Sequence, residues 1–134
     1  MRDINTARDI IAKNPYTVAI VKQGNIIFTS KDSQIRSILF AIEKYKDKIS
    51  DSVVGCNLVG KAAAFLFRYQ KIKGVYSPRG TKTGIALLIM GGIPCQIDEM
   101  IQNIAEDETE YYPFEQSLNN VESPEDAYNI LKKI

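Results

Sequence analysis

The chain has 134 residues, 45% of them hydrophobic and 25% charged, a length and balance suited to one globular domain. It contains no histidine, which excludes Ser-His-Asp and Cys-His catalysis and any histidine-ligated metal. A net charge of only +1 and an acidic tail segment make nucleic acid an unlikely partner.

Asp3 to Lys13 places Ile4, Ala7, Ile10 and Ile11 at helical spacing, and Asn14-Pro15 ends that helix. Its charged start is expected not to be a signal peptide. Tyr16 to Val21 and Ile26 to Thr29 read as a β-hairpin turned at Gly24. Asp32 or Ser33 caps a helix over Gln34 to Tyr45, with Ile35, Ile38, Leu39 and Ile42 on its core face. Ser52 to Gly55 is a short buried strand, and Leu58 to Gln70 the next helix, capped by Cys56 or Asn57. Gly74 to Ser77 is a fourth strand. Thr81 to Met90 is a helix stopped by Gly91-Gly92, and Ile93 to Ile97 a fifth strand. An acidic, turn-like stretch follows, and Ser123-Pro124-Glu125-Asp126 opens a last helix. A hairpin followed by strand-helix alternation predicts a three-layer α/β/α sandwich with a mixed five-stranded sheet. The longest apolar run, Ile85 to Met90, is too short to cross a bilayer. Two lone cysteines fit a reducing, cytoplasmic setting.

Charge is segregated along the chain. Ser52 to Ile97 holds Lys61, Arg68, Lys71, Lys73, Arg79 and Lys82 and no acid; Thr83 to Leu131 holds acids and no base. The two segments either neutralise each other or leave a local field for an anion.

From Gly55 the chain reads Gly-x-x-x-x-Gly-Lys-Ala, one residue short of a phosphate-binding loop. Ala62 lacks the magnesium-binding hydroxyl, and no later strand ends in a second magnesium carboxylate, so triphosphate hydrolysis is not expected. A weaker expectation is a small anion at a helix start near Cys56, Asn57, Gly60 and Lys61. "RGTKTG" repeats the arrangement with Thr81 and Lys82, and adjacent parallel strands would bring the two starts together. Tyr112 and Glu115 are candidates to close over the ligand. The alternative at each position is ordinary packing, capping or solvated charge. Cys56, at a helix start, is a weak candidate nucleophile.

"VVGCNLVGKAAAF", "GVYS", "TKTG", "PFE" and "SPEDAYNILKK", in that order, resemble an uncharacterised prokaryotic family of unknown function with a cytidine-deaminase-like fold. That fold carries zinc in deaminases on His or Cys plus two Cys, with a Glu shuttling protons. The corresponding stretches here, "SKDSQ" and "GCNLV", hold only Cys56, so the resemblance implies the fold without a zinc site or cofactor. Relatives often carry Cys before Pro-Phe-Glu, where this chain has Tyr112. The expected function is binding of a small anionic ligand or nucleotide without zinc chemistry. The alternatives are a structural or protein-interaction domain acting as a homodimer, or a thiol enzyme using Cys56.

Overall fold

The computed structural model describes residues 2–134; Met1 lies outside them. Helix α1 (Arg2–Lys13) precedes the hairpin β1 (Val18–Lys22) and β2 (Asn25–Ser30). Gln23 and Gly24 both take positive φ, 51° and 81°, as a two-residue hairpin turn requires. The Asp3 carboxylate accepts from both turn amides, at 2.8 and 2.9 Å, and so ties α1 to the hairpin tip.

Helix α2 (Gln34–Tyr45) is followed by a 3-10 turn, Lys46–Ile49. Then come β3 (Val53–Cys56), β4 (Leu58–Val59), α3 (Lys61–Tyr69), β5 (Gly74–Thr81), α4 (Lys82–Met90) and β6 (Cys95–Ile101). The chain ends with α5 (Tyr112–Gln116) and α6 (Pro124–Leu131).

The sheet is mixed. β1 runs antiparallel to β2 and β3, and β5 runs parallel to β3, β4 and β6. Its sixth strand is β4, which pairs with the far half of β5 while β3 pairs with the near half. β3 and β4 therefore act as one broken strand. Alternate residues divide the core between the two faces. Val18, Ile20, Val54 and Val75 join the cluster under α2, α3 and α6, whereas Ala19, Val21, Val53 and Tyr76 meet α1. This is the three-layer α/β/α sandwich.

Several boundaries differ from the sequence reading, three of them around the strands beside α3 and α4. Leu58 and Val59 are strand, not the first turn of a helix, so Gly60 rather than Cys56 or Asn57 is the N-cap of α3. β-branched Val59 pairs with Gly80, and tertiary pairing overrides the helical spacing. β5 continues past Ser77 to Thr81, and β6 starts two residues later than expected and runs to Ile101.

α3 is the hub of one layer. Ala62 to Phe67 are all buried, because α2, α4 and α6 surround the helix. On the other face α1 lies close against β3 at Gly55. A Cβ built there would stand 2.9 Å from Ile11 Cγ1 and 3.0 Å from the Ala7 carbonyl. The backbone of α1 cannot yield to it. Gly55→Val should destabilise the fold by about 1–3 kcal/mol as an overpacked core, read as a lower midpoint in urea unfolding with an unchanged slope.

Candidate functional site

A helix buried from its second residue onward leaves its first amide N–H groups short of water, and such donors need partners. At α3 the partner is Glu115. Its Oε1 accepts from Lys61 N at 2.6 Å and its Oε2 from Ala62 N at 2.7 Å. The carboxylate comes from α5, which is anchored beside it by buried Phe114. Gly60 makes the approach possible: a Cβ there would lie 2.7 Å from Glu115 Cδ and 2.8 Å from Ile104 Cδ1. Burial raises the Glu115 pKa, and the two amides and the Lys61 charge offset that only in part.

A second polar bridge secures the break between β3 and β4. Gln34, at the start of α2, is fully buried. Its Oε1 accepts from Asn57 N at 2.9 Å and Leu58 N at 3.1 Å, and its Nε2 donates to the Leu58 carbonyl at 2.6 Å. The amide thus supplies backbone partners that an unbroken sheet would have supplied.

α4 starts alongside. Its N-cap Thr81 accepts from Gly84 N through Oγ1 at 2.9 Å. Gly84 lies against the backbone of the β4–α3 turn, where a Cβ would stand 2.6 Å from the Val59 carbonyl and 2.9 Å from that of Gly60. The two helix starts are therefore held in contact.

Between them and the C-terminal segment lies an open cleft of about 410 Å³. Lys61, Thr81, Tyr112 and Glu115 line it, together with Thr83, Asn103, Ile104, Gln116 and Asn119. The remaining candidates lie elsewhere. Gly60 touches Glu115 from behind, Asn57 is held by Gln34, and Lys82 is exposed outside the lining. Arg79, one of the cations grouped here on sequence, is paired with Glu108 at 2.9 Å, the one ion pair among the described residues that links the basic and acidic segments. The cleft offers one ammonium, two threonine hydroxyls, a phenol and three carboxamides, a set that can hold a small polar molecule from several sides.

Cys56 ends β3 and is wholly buried, with its thiol pushed up to about 12 by loss of solvent. Contacts with Ser77 and the Leu58 backbone offset the burial only in part. Because α3 starts at Lys61, Cys56 is not at its N-terminus, and the dipole argument for a reactive thiol does not apply.

The residues do not fit a zinc ion. Among the described residues no group of three Cys, Asp or Glu side chains lies together, and the chain has no histidine. Zinc needs three or four such ligands. Gln34 and Glu115 instead bind backbone amides. Neither is legible from spacing alone, because each acts on backbone far away in sequence. The one hint for Glu115 is a carboxylate in "PFE", because Gly60 at the start of α3 has no side-chain acceptor.

Glu115→Gln should cost about 1–3 kcal/mol, because the amide nitrogen would face an N–H donor that then loses its partner. The pH dependence has a definite sign. A carboxyl whose folded pKa lies above its ordinary 4.5 binds protons more tightly in the folded state. Between 4.5 and that raised value, the Glu115 contribution therefore makes the protein more stable as pH falls. The stability difference between wild type and Glu115→Gln, followed by urea unfolding across acidic pH, should widen in favour of wild type through that window.

The fold and the family can now be compared with known proteins. No curated protein matches the chain. A DUF1893 family protein (TM1506) of known structure from Thermotoga maritima superposes with a TM-score of 0.85 at 26% identity, over 99% of this chain and 90% of that one. RibD from Acinetobacter baumannii matches 71% of this chain and 34% of its own, with a TM-score of 0.53 and 17% identity. The dCMP deaminase from the cyanophage S-TIM5, solved with dCMP and dUMP, matches 70% of this chain and 92% of its own, with a TM-score of 0.51 and 17% identity. These likenesses establish a cytidine-deaminase-like fold. The family model TM1506, domain of unknown function DUF1893, matches residues 6–134, and the chain belongs to that family.

Proposed function

We propose that the protein is a ligand-binding domain without zinc chemistry that takes a small anionic molecule or nucleotide in the cleft at the starts of α3 and α4. The observation that carries this reading is Lys61. It lines the cleft, and its ammonium, 5.9 Å from the centroid of the Phe65 ring, makes no ion pair with any described residue. The cleft also lies beyond the carboxyl ends of the parallel strands β4 and β5, where open α/β sheets bind ligands. Its volume falls within the range of small-molecule sites.

The anion would not sit on the amides of Lys61 and Ala62, because Glu115 holds them. It would instead meet the Lys61 ammonium and the Thr83 hydroxyl, with Tyr112 offering a ring to a planar group. Asn103, Gln116 and Asn119 supply both donors and acceptors for a nucleobase edge or a polar scaffold.

A second reading is a protein-interaction domain that acts as a homodimer. It is favoured by exposed apolar side chains on neighbouring α4 and β6, Ile89 at 65%, Met90 at 72% and Met100 at 58%. Sedimentation of wild type and Met90→Lys tests it: a dimer in the first and a monomer in the second.

Thermal-shift measurements with dCMP, other nucleoside phosphates and inorganic phosphate test the first reading. Wild type should be stabilised by at least one member of the panel. Lys61→Ala should weaken that ligand about 10- to 100-fold, the loss expected for a charge-assisted hydrogen bond. No shift in wild type with any member would contradict it.

A further inference from the structure

At the opposite end of α3 lies a second cleft, of about 700 Å³, between the C-terminal ends of α2 and α3 and the helix α6. Its wall is a pair of tyrosines, Tyr69 and Tyr128, stacked with ring centroids 4.3 Å apart and planes 10° from parallel. Tyr69 is 37% exposed, while Tyr128 is buried and donates its hydroxyl to Glu43. Lys132 lies over the Tyr128 ring, 5.0 Å from its centroid.

Two lysines in this cleft hold backbone conformations that lysine rarely adopts. Lys46 has φ 50° and ψ −128°, as at the first central position of a type II′ turn, where glycine is the usual residue. Lys71 has φ 59° and follows the C-cap of α3, where Ile72 N reaches back to the Phe67 carbonyl at 3.0 Å. That closure also normally takes glycine. Lysines near helix C-termini are favoured by the dipole, which accounts for their charge. It does not account for left-handed backbone, which costs stability in any residue with a Cβ. Strain of this kind gathers at functional sites. Of the four non-glycine residues with positive φ among the described residues, Gln23, Lys46, Asp51 and Lys71, the two lysines border this cleft.

We propose that this cleft is a second ligand site, for a nucleoside phosphate whose base stacks on Tyr69 and whose phosphate is held by Lys46 and Lys71. Glu43 accepts from Tyr128 through one oxygen and offers the other to amino groups of the base, as does Asp47 at the cleft edge. The base extends an aromatic stack that already exists, which requires no new side-chain ordering at Tyr128. The site is independent of the Lys61 cleft, since Lys61 begins α3 and Tyr69 ends it.

Amide chemical shifts of the full chain during titration with 5′-AMP, and separately with inorganic phosphate, test the proposal. AMP should move the amides of Tyr69 and Lys71, and Lys61→Ala should leave this unchanged. Tyr69→Leu should weaken AMP about tenfold, as loss of base stacking does. Lys71→Gly should raise the melting temperature by a few degrees as strain is relieved, and should weaken AMP at least about fivefold by removing a charge-assisted contact. A short oligoadenylate that binds far more tightly than AMP identifies a nucleic-acid strand as the source of the nucleoside phosphate. Equal binding identifies the free nucleotide. AMP that leaves Tyr69 and Lys71 unmoved, or that binds Lys71→Gly as tightly as wild type, overturns the proposal. So does inorganic phosphate that moves these amides as much as AMP.

Discussion

The carboxylate of Glu115 on the first amides of α3 is the contact on which the rest of the cleft depends. α3 is buried from Ala62 to Phe67, so the amides at its start need a partner. The partner comes from a segment 54 residues further along the chain. By seating there, Glu115 draws α5 over the start of α3, and Phe114 and Leu118 on either side enter the main core. Gly60 has no side chain to block the approach, and Gly84 lets α4 press on the same turn. The cleft walls are a consequence of this closure. Lys61 lends its backbone N–H to Glu115, and its ammonium stays free of any ion pair with a described residue.

Polar side chains hold the backbone at a second place near this closure. Here side-chain oxygens hold backbone amides at two places, the β3–β4 break and the start of α3. Gln34 from α2 spans the break between β3 and β4, and Glu115 crosses to α3. Cys56 remains at the corner as a packed, neutral thiol. A half-buried carboxylate and a buried amide, each hydrogen-bonded to backbone, can fix such a corner, since unsatisfied groups there would be costly. No buried side-chain N or O among the described residues lacks a hydrogen-bond partner.

Local signals were the readable part. α2 runs from Gln34 to Tyr45 as its apolar spacing indicates, Gly91 ends α4, and Ser123 caps α6 through Asp126 N at 3.1 Å. The sandwich followed from the order of these elements. What could not be read depends on partners distant in sequence. Leu58 and Val59 continue a helical pattern by residue type, yet they pair with Arg79 and Gly80 and so become strand. Thr83, Asn103, Gln116 and Asn119 line the cleft only because loops far apart are brought together, and no spacing connects them. Lys61, Thr81, Tyr112 and Glu115 could be picked out because charge, capping and an aromatic–acid pair leave local marks. The role of Glu115 as the partner of α3, rather than of a ligand, needed the three-dimensional fold.

The most direct measurement is hydrogen exchange at the amides of Lys61 and Ala62. If Glu115 closes the start of α3, both amides exchange slowly in wild type. In Glu115→Gln and Glu115→Ala they should exchange many-fold faster, while the central amides of α3 stay protected. Fast exchange of these two amides in wild type, or exchange unaltered when Glu115 is replaced, would contradict the account.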